Sequence, residues 1–187
     1  MPATARSGII GPRADPVDRY LIQPVTAADL PLIRGWRAQP HVAEWWGDPD
    51  VEPEIEKLAD PNIDLWLIAL AGRPFAFLQD YRVHAWDPHP FRYLPPGARG
   101  FDLFIGAPDM LGAGHGPRFL RQHVEALFRR GAPAVGVDPH PDNLRAQRAF
   151  AAAGFVLASG PVETPWGRAV LMDQFAIPPE TLVSAFR

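Results

Sequence analysis

Apolar residues along the chain fall into short runs that are typical of strands and into segments with helical spacing. Residues 99–106 alternate and then run apolar, which predicts a strand, and a glycine-rich turn follows at 111–116. Pro117 then suits the first turn of a helix, where a backbone N–H has no partner within the helix. One face of this helix carries the apolar residues Phe119, Leu120, Val124, Leu127 and Phe128.

A strand, a glycine loop and a helix in this order aim backbone N–H groups and the positive end of a helix dipole at one point, which suits a phosphate. The same loop also fits a plain left-handed turn, because glycine adopts positive φ at no steric cost. It is not a Walker loop, since no Lys-Ser/Thr pair follows Gly116, and its glycines lack the spacing of a dinucleotide-binding fingerprint. Both a phosphate site and a simple turn therefore stay open at this point.

Further short segments have the apolar pattern of strands: 20–25, 65–70, 75–81, 134–138, 155–158 and 169–175. Residues 71–74 predict the turn between two of these strands, and residues 161–167 predict the turn between the last two. Strands outnumber helices, and helical segments separate strands near the middle of the chain. The order predicts a mixed α/β fold.

Two more helices are predicted from their caps. Thr26 is a suitable N-cap, with Asp29 completing an acidic capping box, for a helix that carries Leu30, Ile33 and Trp36 and ends at Pro40. Asn143 caps the other helix, which runs to Ala153 and ends at Gly154.

The composition narrows the class of protein. A chain of 187 residues that is 47% hydrophobic predicts a single domain, which we place at 19–177 with loose tails at 1–18 and 178–187. A net charge of −3 gives no reason to expect nucleic acid or an anionic membrane as a partner. The chain has no cysteine, no apolar run of membrane-spanning length and no signal peptide, so we expect a cytoplasmic protein without disulfides or thiolate metal sites. A monomer and a homodimer are both open.

The glycine loop and the segment Asn143-x-x-Ala146-x-x-x-Phe150-x-x-x-Gly154-Phe155 resemble the GCN5-related N-acetyltransferases (GNAT). The resemblance implies a mostly antiparallel sheet whose central parallel strand pair splays around acetyl-CoA, with helices on its flanks. In that family the loop holds the pyrophosphate and the asparagine faces the cofactor arm. The cofactor-binding residues that the resemblance implies are Phe104, Ile105, Leu111, Gly112, Ala113, Gly114, His115, Gly116, Arg118, Asn143 and Phe150.

Three shorter motifs are similar to those of bacterial aminoglycoside 6′-N-acetyltransferases: His41-Val-Ala-Glu-Trp-Trp-Gly47, Arg99-Gly-Phe-Asp102 and Asp138-Pro-x-Pro-x-Asn143-Leu-Arg-Ala146. A sister branch acylates lysine or hydroxylysine in siderophore assembly and usually has histidine where this chain has Asp102. The likeness implies acetylation of a primary amine on a small cationic acceptor.

This chain departs from the family pattern in several places. Phe150 replaces the tyrosine with which many members reprotonate the CoA thiolate, so water or another group must supply that proton. Leu111 replaces the usual Arg or Gln, and Pro117 removes one possible phosphate donor. The loop before the central strand can be acidic in related enzymes, but residues 84–93 read His84-Ala-Trp-Asp-Pro-His-Pro-Phe-Arg-Tyr93, with Asp87 as the single acidic side chain, which weakens the case for a polycationic substrate. A CoA-binding regulatory module without turnover is therefore a further hypothesis.

Acetyl transfer to an amine needs a group that accepts the ammonium proton. Asp102 is the first candidate, because it interrupts an apolar strand just before the glycine loop, although a solvent-facing strand residue fits the same pattern. Asp138, after the next strand, is a second carboxylate for the amine or a simple turn-former. The residues predicted to line the acceptor site are Glu44, Trp45, Trp46, Gln79, Asp80, Asp102 and Asp138.

The other candidates have plainer alternatives. Asp48 and Asp50 would extend a cation-attracting rim or form a solvated loop, and one of the two tryptophans is expected in the core. The six histidines show no metal-ligand spacing, so we expect no metal site, and we interpret His84 and His89 as loop residues. The side chain of His115 is expected to point to solvent.

Overall fold

The computed structural model of the protein describes residues 20–47 and 54–177. The tails predicted at 1–18 and 178–187 and the rim carboxylates Asp48 and Asp50 lie outside these residues. In the part of the chain that is described, no helix is long and apolar enough to cross a membrane.

The strands of the described residues form one sheet. They are β1 (Leu21–Pro24), β2 (Ile63–Leu70), β3 (Arg73–Arg82), β4 (Arg99–Ile105), β5 (Ala134–Val137), β6 (Val156–Thr164) and β7 (Gly167–Phe175). Their order across the sheet is β1-β2-β3-β4-β5-β7-β6, and every neighbouring pair is antiparallel except β4 and β5. The predicted fold class, a mostly antiparallel sheet with one central parallel pair, is confirmed.

Helices flank both faces of the sheet. They are α1 (Leu30–Arg37), α2 (Pro40–Trp46), α3 (Glu54–Lys57), α4 (His115–Arg129) and α5 (Leu144–Ala153), with short 3₁₀ turns at Ala27–Asp29, Val83–Ala85 and Pro108–Met110. The capping box at Thr26 is present, because the Asp29 carboxylate accepts the Thr26 backbone N–H at 2.8 Å. Asn143 caps α5 through its side-chain oxygen, which accepts the Ala146 N–H at 3.0 Å.

Pro40 has a second role that the sequence did not reveal. It follows the end of α1, as predicted, but it also occupies the first turn of α2. A proline at this position costs no hydrogen bond, since the first N–H groups of a helix have no intrahelical partner. The motif around the two tryptophans therefore forms a second helix, α2.

The sheet has two apolar faces because successive side chains of a strand point to opposite sides. On one face, Ile33, Trp36 and Val42 of α1 and α2 pack against Leu65, Leu67, Phe77 and Phe104. On the other face, Phe119, Leu120, Val124 and Leu127 of α4 and Phe150 of α5 pack against Phe75, Leu78, Phe101 and Val135. A third cluster joins the loop residues Phe91 and Leu94 to Tyr81 and Leu171.

The turn predicted at 161–167 is shorter than expected. Strand β6 continues to Thr164, because Val162, Glu163 and Thr164 pair with Ala169, Arg168 and Gly167 of β7. Pro161 is tolerated there, since β6 is an edge strand and its register shifts between Ser159 and Val162. Only Pro165 and Trp166 connect the two strands, so Trp166 lies at the tip of a long hairpin.

The parallel pair β4–β5 opens after three paired residues. Arg99, Gly100 and Phe101 pair with Val135, Gly136 and Val137, and beyond these positions the two strands separate. The next residues along the two strands, Asp102 and Asp138, therefore stand at the point where the sheet splays.

Candidate active site

A cleft with two lobes lies at the splay. We name the first lobe the hairpin lobe, after the β6–β7 hairpin; its volume is about 480 Å³. The residues that line this lobe and not the other include Tyr81, Trp86, His89, Thr164 and Arg168. The helix lobe, named after α5, has a volume of about 610 Å³, and residues found only in its lining include Phe101, Leu103, Pro139, Asn143 and Phe150. Both lobes share Trp45, Lys57, Gln79, Asp102, Asp138, His140 and Trp166. The two carboxylates thus lie where the lobes meet.

The side chain of Asp102 is held by a hydrogen bond from the neighbouring strand β3. Gln79 lies opposite it in the β3–β4 register, and the Gln79 Nε2 donates to Asp102 Oδ2 at 2.6 Å. The Lys57 Nζ donates in turn to Gln79 Oε1 at 3.3 Å. Because the amide donates to a carboxylate oxygen, it fixes the orientation of the Asp102 side chain.

The pKa of the Asp138 carboxyl group is raised towards neutral pH. Burial, followed by the negative charge of Asp102, raises the pKa of Asp138 to about 7. The loop that carries it is fixed by β7, since the Val170 N–H donates to the Pro139 carbonyl at 3.0 Å. Two carboxylates this close do not both ionise freely, so near neutral pH the pair holds a proton for part of the time and can take up another group's proton.

Tyr81 reaches the carboxylates because Gly100 has no side chain. A Cβ at Gly100 would lie 2.3 Å from the Tyr81 ring, so any other residue would displace the ring. Burial, then the charges of Asp102 and Asp138, raise the pKa of Tyr81 well above its ordinary value. The phenol therefore stays protonated and presents an O–H to this part of the cleft.

The two tryptophans of α2 have different surroundings, although Trp46 also lines the helix lobe. Trp45 is 39% exposed, lines both lobes and lies 5.7 Å from the His140 ring. Trp46 packs into the core with its ring centroid 4.9 Å from Phe104 and 6.0 Å from Phe77. Trp45 is therefore the flat wall that the cleft offers to a sugar ring or an ammonium group.

Asp80 does not line the cleft, and its predicted acceptor role is wrong. Adjacent strand residues point to opposite faces, so Asp80 turns away from Gln79 towards α4. Its carboxylate is fully buried, accepts from Arg99 Nε at 2.7 Å and Trp66 Nε1 at 2.5 Å, and lies 2.9 Å from His123 Nε2. Burial by itself raises the pKa of Asp80, but these contacts outweigh it and hold the pKa below its ordinary value.

Glu44 is exposed and lies outside the linings of both lobes. As a residue of α2, it is separated from Trp45 by about 100° around the helix axis, so the two side chains do not share a direction. The structure therefore does not bring Glu44 to the carboxylate pair.

The glycine loop has the geometry expected of an anion cradle. Gly112 and Gly114 both have φ of 76°, and a Cβ at Gly112, Gly114 or Gly116 would meet no atom within 4 Å. Gly114 caps the 15-residue helix α4, whose first N–H groups lack intrahelical partners. Leu111 precedes this turn, Ala113 lies within it and Arg118 is exposed in the first turn of α4. The open space and the helix N-terminus together fit a pyrophosphate.

His115 differs from its expected orientation. Its side chain turns inwards, with Nδ1 2.9 Å from the Tyr20 hydroxyl and its ring 5.5 Å from Phe75. The reason is the aromatic packing between β1, β3 and α4, which the loop sequence alone does not reveal. The Nδ1 atom of His115 is thus engaged with Tyr20 rather than directed to solvent.

The remaining predicted cofactor residues fall into two groups. Asn143 and Phe150 line the helix lobe, with the Phe150 ring 5.9 Å from Phe155. Phe104 is buried in the core, and the Ile105 carbonyl accepts a hydrogen bond from His41 Nε2 at 2.9 Å. For these two strand residues, the structure leaves backbone contacts rather than side-chain contacts along β4.

The sequence analysis missed several residues that line the hairpin lobe, namely Lys57, Tyr81, Trp86, His89, His140, Trp166 and Arg168. They come from five separate segments, and no spacing in the sequence connects them. His89, interpreted as a loop residue, is in fact buried. Among the residues that the structure describes, no group of three or more His, Asp or Glu side chains is placed to hold a metal ion.

Comparisons with known proteins agree on one family. The acetyltransferase (GNAT) domain matches residues 25–160. Aminoglycoside N(6′)-acetyltransferase type 1 of Klebsiella pneumoniae is 32% identical over 168 residues, which cover 84% of this chain and 83% of that protein. A kanamycin resistance protein of Rhizobium radiobacter is 42% identical over 80 residues, or 42% of this chain and 73% of that protein. The crystal structure of aminoglycoside acetyltransferase AAC(6′)-Ib in complex with coenzyme A and kanamycin has a TM-score of 0.77 at 30% identity, covering 90% of this chain and all of that one.

Proposed function

This chain belongs to the acetyltransferase (GNAT) family, and from that premise we propose that it transfers the acetyl group of acetyl-CoA to a primary amine of a small cationic acceptor, in the first place the 6′-amine of an aminoglycoside. The observation that carries the proposal is the position of Asp102 and Asp138 at the junction of the two lobes. An acceptor amine in one lobe and a thioester in the other would meet at this junction, beside the two carboxylates that can accept a proton. The proposal places the reaction in the cytoplasm.

We assign the helix lobe and the glycine loop to acetyl-CoA, because the relatives of known structure were crystallised with acetyl-CoA or CoA. When bound, acetyl-CoA supplies the thioester carbon that the amine attacks. The backbone N–H groups of residues 112–116 and the N-terminus of α4 would hold the pyrophosphate. The splayed backbone of β4 would position the pantetheine arm.

The hairpin lobe would hold the acceptor. The carboxylates of Asp102 and Asp138 attract an ammonium group, and Trp45 offers its flat face to the sugar. Asp102, fixed by Gln79, would orient the ammonium. Either carboxylate would then accept its proton, and the pKa of about 7 at Asp138 suits a proton acceptor that operates near neutral pH. Phe150 has no proton to give, so the leaving thiolate would take its proton from water or from this pair.

A second candidate acceptor is a lysine-like amine that also carries a carboxylate. Lys57 and Arg168 line the same lobe as the two aspartates, and these cations favour an acceptor with an acidic group as well as an amine. This is the chemistry of the siderophore branch. A non-catalytic CoA-binding module is less well supported, because a pure binder does not need a half-buried carboxylate pair at the junction of the two lobes.

The test of the function is release of CoA thiol in the presence of acetyl-CoA and kanamycin, lysine, N6-hydroxylysine or 1,5-diaminopentane. We expect the highest kcat/KM with kanamycin and a product whose mass increases by one acetyl group at the 6′-nitrogen. A preference for lysine or N6-hydroxylysine would favour the second candidate. CoA binding by calorimetry without thiol release above the amine-free rate, for all four amines, would contradict the enzymatic proposal.

The pH dependence should report the carboxylate pair. Because burial and Asp102 raise the pKa of Asp138 to about 7, kcat/KM for the acceptor should fall as the pH drops through about 7, where the pair gains a proton and loses charge and basicity. Asp138→Asn removes both the titrating group and the charge that faces Asp102, so the acidic limb of the profile should move to lower pH. Profiles of kcat/KM against pH for the two proteins check this. An acidic limb at the same pH in the variant would assign it to another group.

A further inference from the structure

His89 is a buried polar residue for which the proposed mechanism has no use. It is only 5% exposed, it lies in the loop between β3 and β4, and it lines the hairpin lobe. The Phe91 backbone N–H donates to His89 Nδ1 at 3.2 Å. The Nε2 atom is buried and has no hydrogen-bond partner among the described residues. A buried polar group left in this state costs free energy, so its retention at a ligand-binding cleft needs a reason.

The contact with Phe91 decides which ring nitrogen carries the proton. A backbone N–H can only donate, so Nδ1 must be the acceptor and the proton of the neutral ring must be on Nε2. Burial and then the nearby His84 lower the pKa of His89 to about 4, so the ring is neutral at physiological pH. His89 therefore presents one uncharged N–H donor at the wall of the hairpin lobe.

The surroundings of His89 explain why this donor has no protein partner. Its ring lies between aromatic rings, 5.6 Å from Tyr81 and 5.3 Å from Trp166, and these faces offer no lone pair of ordinary strength. Trp166 is 58% exposed at the tip of the β6–β7 hairpin. Of the two rings beside His89, Trp166 is the exposed one and Tyr81 is buried, so a ligand that enters the lobe would approach Nε2 from the side of Trp166.

The kind of group that satisfies this donor follows from its chemistry. An ammonium group has no lone pair, so the reacting amine cannot pair with Nε2–H and must stay with Asp102 and Asp138. A hydroxyl oxygen accepts such a bond, and on an amino sugar the hydroxyls nearest the reacting amine are on the same ring. His89 and the carboxylate pair thus require two different groups of one acceptor.

We propose that His89 is a specificity-determining residue, whose Nε2–H recognises a hydroxyl oxygen on the same sugar ring as the acceptor amine. The inference rests on the proposed function, because it assumes that the hairpin lobe holds the amino sugar. It adds a polar contact in the same lobe, from a residue whose ring packs against Tyr81. An acceptor with the amine but without the hydroxyl would leave this buried donor unpaired and would lose the gain of one neutral hydrogen bond.

The test combines two substitutions at His89 with two acceptors that lack one or two hydroxyl groups. Kanamycin B is compared with its 3′-deoxy and 3′,4′-dideoxy analogues in the wild type, His89→Phe and His89→Gln. In the wild type, loss of the recognised hydroxyl should lower kcat/KM by about tenfold. His89→Phe keeps the ring shape without the donor, so it should treat the three acceptors alike. His89→Gln keeps an N–H at a similar reach and should restore part of the discrimination.

Two results would overturn the proposal: a wild type that is indifferent to both deletions, or a His89→Phe variant that still discriminates. His84→Phe is the matched control, since His84 is an exposed residue of the neighbouring turn, and it should behave as the wild type does. Wild-type acetylation of these sugars with no effect of His89 would refute this inference alone. No acetylation of any of them would refute the proposed aminoglycoside function and the inference with it.

A second measurement does not depend on the variants folding. The Nε2–H proton of His89 in the wild-type NMR spectrum should move downfield when kanamycin B binds and should not move with 1,5-diaminopentane, which has amines but no oxygen. A spectrum that shows the proton on Nδ1, or the same shift with both amines, would contradict the proposal.

Discussion

Asp102→Asn is expected to lower kcat by about 10²-fold or more, the usual range for loss of a general base. A primary amine with a pKa near that of lysine is almost wholly protonated at neutral pH and cannot attack a thioester before it loses a proton. The substitution keeps the size of the side chain and can keep a hydrogen bond to Gln79, but it removes charge and basicity. Affinity for CoA should be nearly unchanged, since the change is confined to the junction of the lobes.

The pH dependence of the loss separates chemistry from structure. The defect in kcat should shrink as the pH rises, because more of the amine is then free without help from the protein. Asp87→Asn is the matched control: Asp87 is exposed in the loop after β3, outside both linings, and its loss removes the same charge. Steady-state rates for both variants decide the matter. A kcat equal to that of the wild type at neutral pH would make Asp102 a strand residue only and would leave Asp138 as the base.

Asp80→Ala is expected to destabilise the protein by about 3–5 kcal/mol, because it removes one partner of a buried charge network and leaves the other partners uncompensated. Asp80 is fully buried between Arg99, His123 and Trp66, which tie β3, β4, α4 and β2 together. For a domain of this size such a loss lowers Tm by roughly 10 °C. Thermal unfolding followed by circular dichroism measures the change.

Asp64→Ala provides a control with the same arginine. Arg99 also contacts Asp64 at 2.6 Å, but the Asp64 side chain is 58% exposed. Ion pairs at such exposed positions are worth about 0–1 kcal/mol, so Tm should move by only a few degrees. Equal decreases of Tm in the two variants would mean that the burial of Asp80 does not determine its contribution to stability.

The helices and strands that could be predicted are those whose signals lie within a few neighbouring residues of the sequence. Alternating apolar residues identified β2, β3 and β4, and the caps at Thr26 and Asn143 identified where helices begin. These signals act over a few residues, because side-chain period, capping hydrogen bonds and glycine conformations involve only neighbours in the chain. For the same reason, the glycine loop before α4 was visible as a possible phosphate site.

The predictions from sequence were wrong at positions where segments far apart in the chain meet in the fold. Pro161 was interpreted as part of a turn, but pairing with β7 extends β6 through it. Asp80 and Gln79 were assigned to one cleft, although the alternation of a strand places them on opposite faces. In the first case an edge position in the sheet overrode a local turn signal. In the second, the identity of the buried face depended on α4, which packs there from a distant part of the chain.

The sequence by itself determined the order of the strands and of α1, α4 and α5, the glycine loop, and the two aspartates Asp102 and Asp138. It did not reveal α2 and α3. The tertiary structure decided that these aspartates meet, because the parallel β4–β5 pair opens just before both of them. It also decided the makeup of the hairpin lobe, in which Lys57, His89 and Trp166 converge from segments far apart in the chain. A cleft of this kind forms by packing between segments that are not neighbours in the chain, so no local sequence pattern encodes it. The position of the proton on the His89 ring likewise follows from the hydrogen bond with the Phe91 N–H, which exists only in the folded chain.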